Sequence, residues 1–211
     1  MAKKTRISIR KIKRLGILLI GIIIILMATI FIFKLLTDKK PIHTKVVDQL
    51  SDYSYVLNDN ETSYYKSLFN ELKVVLNQKE VDEEAYAALV GKLFLADFFN
   101  LNNKITKNDI GGIQFVYDKY QTDFKKYALD SIYRIVKNNT YGDRRQELPI
   151  VSLVDVVSIE NQAYSYGKNI KDTKAFLLKL TVSYKKDLNY QKDVALILIH
   201  EDNKLVIAEM Y

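Results

Sequence analysis

The sequence of 211 residues contains no cysteine and no tryptophan, and it has only two prolines and two histidines. The missing cysteine excludes disulfides, thiolate metal sites, a cysteine nucleophile and a lipid-modified N-terminal cysteine. His43 and His200 lie in different settings, and no H-x-x-x-H or E-x-x-H spacing marks a metal site. The G-x-S-x-G, P-loop and G-x-G-x-x-G motifs are missing as well. We therefore expect no metal, no cofactor and no enzyme activity.

The formal charge of +7 comes from one end of the chain. Seven cations and no acids lie in residues 1–14, namely Lys3, Lys4, Arg6, Arg10, Lys11, Lys13 and Arg14. The rest holds 25 Lys and Arg, because 7 of the 32 lie in this tail, and it also holds 25 Asp and Glu. Proteins that bind nucleic acid need a basic face on the folded module. We therefore expect no direct contact with nucleic acid.

An uncharged run of nineteen residues, LGILLIGIIIILMATIFIF, follows the tail at residues 15–33. At about 1.5 Å per residue, such a run with its flanks crosses a hydrocarbon layer about 30 Å thick. A buried core helix is one alternative, but core helices of small domains are rarely apolar on every face. A cleaved signal peptide is the other, but its apolar region is shorter and ends in a small-x-small site. We predict an uncleaved signal anchor over residues 15–36.

The charges beside this run predict its orientation. Arg10, Lys11, Lys13 and Arg14 precede it, whereas Lys34 follows it and can extend toward the interface. Cytoplasmic flanks carry the excess of Lys and Arg, so the basic tail, residues 1–14, is predicted to be cytoplasmic. The remainder would then lie outside the plasma membrane. We expect the tail to contact anionic lipid, with a cytoplasmic protein partner as the alternative.

The outer part is predicted to begin with a stalk or short helix over residues 37–60. Residues 61–139 follow with a helical pattern, in which TSYYKSLFNELKVVLNQ repeats apolar residues at intervals of three and four. A second helix is predicted from the N-cap residue Asp82. A third helical region begins at 108 or 109, is weakened by two adjacent glycines, and continues as a longer helix over about 119–138.

The period changes after Pro149, and residues 149–211 are predicted to form strands. IVSLVDVVSIENQAYSY is rich in β-branched residues, AFLLKLTVSY alternates apolar and polar residues, and DVALILIH is apolar on both faces. KLVIAEMY closes the chain. Helices followed by antiparallel strands indicate an α+β domain over 61–211, with about three helices packed on a curved antiparallel sheet of three to four strands.

Tyr141, Gly142 and Asp143, the strand VSLVDVVSIE and the helix that contains Tyr133 carry a resemblance to a known family. Over residues 10–205 the chain resembles the bitopic assembly factors of type IV secretion and the related conjugation proteins. That resemblance implies an outer domain with a nuclear transport factor 2-like fold and a non-enzymatic scaffold role. The family's Asn-Pro-x-Gly turn is absent, so its mode of self-association does not carry over, and homo-oligomerisation stays open.

Two groups of side chains are candidate sites. Asp97 falls on the apolar side of its helix, where a carboxylate is costly unless it is bonded or protonated. It is predicted either to accept backbone N–H groups from residues 99–104 or the next helix, or to be the acid of a pocket. Asp143, Arg144, Arg145 and Glu147 are predicted either to contact a partner or to form a solvated corner.

Two functions therefore remain open. The first is a single-pass scaffold whose outer domain binds other envelope proteins, in conjugation or secretion. The second is a membrane-tethered protein with a pocket for a small ligand, and an enzyme is a weaker form of it. An interior filled by Phe and Leu side chains would favour the scaffold. A deep apolar pocket around Asp97 would favour the ligand-binding protein.

Overall fold

The computed structural model describes the backbone of residues 9–37, 40–167 and 170–211, and the side chains of 16–34, 40–167 and 170–211. The chain divides into two compact units, Met1–Pro41 and Ile42–Tyr211. The described residues of the first unit form one helix. The second contains a two-stranded sheet, three α-helices and a four-stranded sheet among its described residues.

Helix α1, Ile9–Thr37, contains the predicted anchor. Its segment Gly16–Lys34 is long and apolar enough to cross a membrane, a property that signal sequences near an N-terminus share. The hydroxyl of Thr29 donates to the carbonyl of Leu26 at 2.8 Å, so its polar group is satisfied within the helix.

A β-hairpin replaces the stalk predicted over residues 37–60. Strands β1, Val46–Leu50, and β2, Tyr55–Asn58, pair antiparallel, and Tyr55 and Leu57 are buried in the main core. Leu57 and Tyr55 are two residues apart, so they share one face of the strand. The stalk prediction is therefore wrong for residues 42–60, because a short strand with two inward side chains gives too weak a pattern to detect.

The first two helices of the domain lie where they were predicted. Helix α2, Ser63–Leu76, is capped by Thr62, whose hydroxyl accepts from the N–H of Tyr65. Helix α3, Glu83–Phe98, is capped by Asp82, whose carboxylate accepts from the N–H groups of residues 84 and 85. Helix α3 is buried along most of its length, which makes it the central helix of the domain.

The third helix is shorter than predicted. Helix α4, Gln121–Asp130, ends at Ser131, whose hydroxyl donates to the carbonyl of Tyr127 at 2.7 Å. A 3-10 turn at Ile132–Ile135 follows, and the chain then runs without regular structure to the sheet. The prediction of one helix over 119–138 is wrong, because the apolar spacing continues through a serine that leaves helical geometry.

Four antiparallel strands form the main sheet, in the order β3-β4-β5-β6. They are β3, Val151–Tyr166, β4, Ile170–Tyr184, β5, Asp193–Glu201, and β6, Lys204–Met210. Each strand pairs with its neighbour in sequence, which gives a simple meander. The pairing of β3 with β4 shifts register at three places, and bulges of this kind bend a strand. The prediction of an α+β domain with an antiparallel sheet of three to four strands is confirmed, and the sheet has four.

Side chains fill the space between α3 and the sheet. Gly91 lies against Leu178 and Leu196, and the rings of Phe94 and Phe98 are stacked with their centroids 5.5 Å apart. The predicted alternation in β4 is borne out, because Phe176, Leu178, Leu180 and Val182 all face this core. A smaller cluster on the opposite face of the sheet joins Tyr117, Ala175, Ile197, Ile199 and Val206.

Candidate functional site

Asp97 lies in the last turn of α3 and is 8% exposed. Its Oδ1 forms an ion pair with the ammonium of Lys104, and its Oδ2 accepts from the N–H of Gly112 at 2.6 Å. The carboxylate therefore accepts a backbone N–H, as one of the two alternatives expected. It also lines a cavity, so its assignment as a pocket acid stays a prediction.

Lys104 is the cation of this site, and it is only 2% exposed. Burial alone would lower the pKa of its ammonium, but the adjacent carboxylate of Asp97 outweighs that effect and raises the pKa above its usual value. Lys104 therefore stays charged around neutral pH. A buried pair of this kind is costly to break, because either partner alone would be an uncompensated charge.

Gly111 and Gly112 bring the loop close to Asp97. A Cβ at Gly111 would collide with the backbone and carboxylate of Asp97, and a Cβ at Gly112 would meet the ring of Phe94 at 2.6 Å. Gly112 also has φ of +74°, a left-handed conformation that favours glycine. The glycine pair predicted to weaken a helix instead lets the loop approach the carboxylate.

Glu61 is a second buried acid of the site, 8% exposed, and it directly precedes the N-cap of α2. Its Oε2 accepts from the amide of Asn103 at 3.2 Å. Burial raises the pKa of its carboxyl to about 7, and the negative charge of Asp97 contributes to this shift. Glu61 therefore titrates near neutral pH, the range in which a group can exchange protons or respond to a bound charge.

Tyr133 fixes the loop from the opposite side. Its hydroxyl donates to the carbonyl of Phe98 at 2.8 Å and accepts from the N–H of Gly111 at 2.9 Å. Burial raises the pKa of this hydroxyl, so it remains a neutral donor. The end of α3 and the glycine pair are thus held at fixed positions around Asp97.

These groups surround a cavity of about 320 Å³, which we call the acidic cavity. Gln114 closes one side by donating to the carbonyl of Val56 and accepting its N–H, which ties the loop to strand β2. The lining combines carboxylates, amides, one ammonium and a few apolar side chains: Thr44, Val56, Asn58, Asn60, Glu61, Asp97, Lys104, Asp109, Ile110, Gly111, Gly112, Ile113 and Gln114.

Arg144 and Glu147, in the charged corner at residues 143–147, have different partners. The guanidinium of Arg144 donates to the carbonyls of Asn102, Lys104 and Lys137 at 2.6 to 3.1 Å. Glu147 pairs with the ammonium of Lys186 at 2.7 Å, and both side chains are exposed. Asp143 and Arg145 are exposed as well. Arg144 thus joins three backbone carbonyls, whereas contact of Asp143, Arg145 and Glu147 with a partner stays a prediction.

The predicted membrane-flanking residues lie in or at the end of α1. Lys34 is exposed in the last turn of the helix. Arg10, Lys11, Lys13 and Arg14 fall in the helical backbone, but their side chains lie outside the described residues. Their contact with lipid stays a prediction.

His200 lies at the end of β5 beside two acidic side chains. Its Nδ1 and its backbone N–H both lie 2.8 Å from Oδ2 of Asp172, and its Nε2 is 3.9 Å from Glu83. The described residues contain no group of three or more His, Cys, Asp or Glu that could hold a metal ion. The contact joins the end of β5 to the start of β4.

Sequence reasoning identified Asp97 but missed Glu61, Lys104 and Asp109. These three lie in loops, where no periodicity marks a residue as buried. The one available signal was the position of Glu61 directly before a capped helix, which fixes the backbone on its C-terminal side. The site is assembled by contacts between residues 61, 97, 104 and 112, which no local pattern reports.

The comparisons with known proteins give no match: no protein-family model, no curated protein and no solved structure matches the chain.

Proposed function

We propose that the chain is a single-pass membrane protein whose outer domain is a scaffold for contacts with other envelope proteins. In this proposal α1 anchors the protein in the plasma membrane, with the basic tail in the cytoplasm and residues 42–211 outside the cell membrane. Support comes from the length and apolar composition of Gly16–Lys34 and from the seven cations that precede it.

The observation that carries the scaffold role is the contrast between the two faces of the main sheet. Phe and Leu side chains fill the face toward α3, the arrangement expected of a scaffold. The opposite face has a shallow, mainly apolar depression of about 420 Å³, lined by residues that include Val157, Lys179, Ala195 and Tyr211. Val157 is 67% exposed there, and contiguous exposed apolar surface is typical of protein contact sites.

The finer form of the proposal is a part in conjugative transfer or secretion, with a nuclear transport factor 2-like outer domain. The order of helices followed by a four-stranded meander supports it. The Tyr141–Asp143 segment supports it too, since Gly142 has φ of +69° in the turn that leads from the last helical turn toward β3. Self-association through the depression at Val157 is one form that the scaffold role can take.

Crosslinking in intact cells tests the scaffold role. A photoreactive side chain replaces Val157 in the full-length chain, and a matched variant carries it at the exposed Lys126 on α4. We expect a discrete adduct from position 157, with the mass of one envelope protein or of a second copy of the chain. Adducts of equal yield at both positions, or none at 157, would contradict the proposal.

Topology is tested with single cysteines, because the natural chain has none. In intact cells, a membrane-impermeant maleimide should label Glu80→Cys in the outer domain but label Ser8→Cys in the basic tail only after lysis. Labelling of both or neither in intact cells would contradict the predicted orientation.

The acidic cavity favours a second candidate function, binding of a small ligand by the membrane-tethered domain. It is an open space beside the tightly filled core, and a buried acid with a pKa near neutrality lines it.

A further inference from the structure

The acidic cavity has more negative than positive charge on its walls. Glu61, Asp97 and Asp109 contribute three carboxyl groups, whereas Lys104 is the one cation among the residues that line it. Lys104 pairs with Asp97, so its charge is offset within the protein. The other two carboxyl groups have no lining cation of their own.

Several acceptors around Glu61 lack a donor. Among the described residues, no group donates to Oε1 of Glu61, and Oδ2 of Asp109 receives one bond, from the N–H of Ile105. The side-chain oxygens of Asn60 and Asn103 are buried and also lack donors within the described part of the chain. Turning either amide over would sacrifice the bonds that its nitrogen already donates. The acceptors that face the cavity, on Glu61, Asn60 and Asp109, are therefore open to a ligand or to water that supplies donors.

Part of the remaining wall is apolar. Val56, Ile110 and Ile113 line the same cavity as the carboxyl groups. A volume of about 320 Å³ exceeds that of a single water, about 30 Å³ in the liquid, by a wide margin. The cavity can therefore hold a short alkyl chain beside the acids.

We propose that the acidic cavity binds a small primary amine in its protonated form, with the ammonium on Glu61 and the alkyl chain against Val56, Ile110 and Ile113. This inference rests on the second candidate function and specifies its ligand. An ammonium brings three donors and one positive charge, which match the open acceptors and the excess of negative charge around Glu61. An anion would be repelled, and a metal ion would need a ligand group that the described residues do not provide.

Binding should weaken as the pH falls. The charged groups that face Glu61 are Asp97 from α3 and Lys104 and Asp109 from the loop. The pKa of Glu61 is about 7 in the free protein, so acid protonates it and removes the charge that holds the ammonium. The amine itself stays protonated up to about pH 10. Dissociation constants should therefore rise at least about tenfold between pH 8 and pH 5.5.

Isothermal titration of the full-length chain in detergent micelles tests the proposal. The probes are n-butylamine and 1-butanol, which have the same carbon chain but differ in the ammonium. We expect n-butylamine to bind at pH 8, and 1-butanol to bind at least about tenfold more weakly. Glu61→Gln should abolish the preference for the amine, and the matched change Glu80→Gln on the surface should leave it intact. A cooperative thermal transition of each variant shows that it is folded.

The outcomes separate the ligand class from the pocket itself. Equal binding of n-butylamine and 1-butanol, lost when Ile113→Trp fills the cavity, would overturn the amine assignment but preserve the ligand-binding function. Binding of neither probe would overturn both. If Glu61→Gln still prefers n-butylamine to 1-butanol, the ammonium binds elsewhere. That result would overturn the proposal that the acidic cavity binds the amine.

Discussion

Arg144 shows how one side chain of a surface loop supports the candidate site. Its guanidinium bridges the carbonyls of Asn102 and Lys104, on one side of the acidic cavity, to that of Lys137. Backbone carbonyls at these positions have no ladder or helix to pair with, and so the planar guanidinium satisfies them instead. The loop that contains Lys104 is thereby tied to the segment before β3.

Replacing Arg144 should therefore destabilise the domain, whereas replacing its neighbour should not. Arg144→Ser removes three hydrogen bonds from a charged donor, and we expect it to lower the free energy of unfolding by about 1–3 kcal/mol. Arg145→Ser changes an exposed side chain and should stay within about 0.5 kcal/mol. Urea denaturation followed by circular dichroism measures both. Equal stability of the two variants would show that the three bonds contribute nothing.

Glu61 should make the stability of the domain depend on pH. Its carboxyl has a pKa of about 7 in the folded protein, against an ordinary value of 4.5. Between these values the folded state binds the proton and the unfolded state does not, so the free energy of unfolding falls as the pH rises. The loss is on the order of 3 kcal/mol and is complete above about pH 7.

Glu61→Gln should remove this contribution, because the amide has nearly the shape of the carboxyl but no charge. We expect the variant to exceed the natural protein in stability at pH 8 and to show no such gain at pH 4.5. Urea denaturation at both pH values measures the difference, with Glu80→Gln as the exposed control. A gain that is the same at both pH values would show that Glu61 does not titrate in this window.

At the scale of elements, the helices and strands that the sequence predicted correctly have a long apolar pattern or a clear capping residue. The apolar spacing of α2 and the capping residue Asp82 of α3 mark features that arise within a few turns of chain. The alternation of β4 is equally local, because a strand with one buried face must alternate. For these elements, local preference and tertiary packing agree, so one sequence is enough to find them.

The elements that were missed depend on distant contacts. The hydroxyl of Tyr55 in β2 lies 2.7 Å from that of Tyr86 and donates to the carbonyl of Leu205, 150 residues away. The hairpin is therefore stabilised by α3 and β6 rather than by its own short pattern. The candidate site was half predicted for the same reason: Asp97 lies on a periodic helix, whereas Glu61 and Lys104 lie in loops.

At the scale of the whole molecule, the hairpin changes where the folded domain begins. The N–H of Ile42 donates to the carbonyl of Thr140 at 2.7 Å, and the N–H of Lys45 donates to the carboxylate of Asp59 at 3.0 Å. Contacts within the domain thus extend to its first residue. The segment predicted as a stalk thus contributes Tyr55 and Leu57 to the core.

Truncation tests this boundary. A chain that begins at residue 42 keeps the hairpin and should unfold cooperatively without detergent. A chain that begins at residue 61 loses the buried side chains of Tyr55 and Leu57. Removal of two large core side chains costs about 4–8 kcal/mol, comparable with the whole stability of a typical domain. We expect thermal melting by circular dichroism to show a cooperative transition for the longer chain and none for the shorter. Similar transitions in both chains would show that residues 42–60 are not needed for folding, as expected of a stalk.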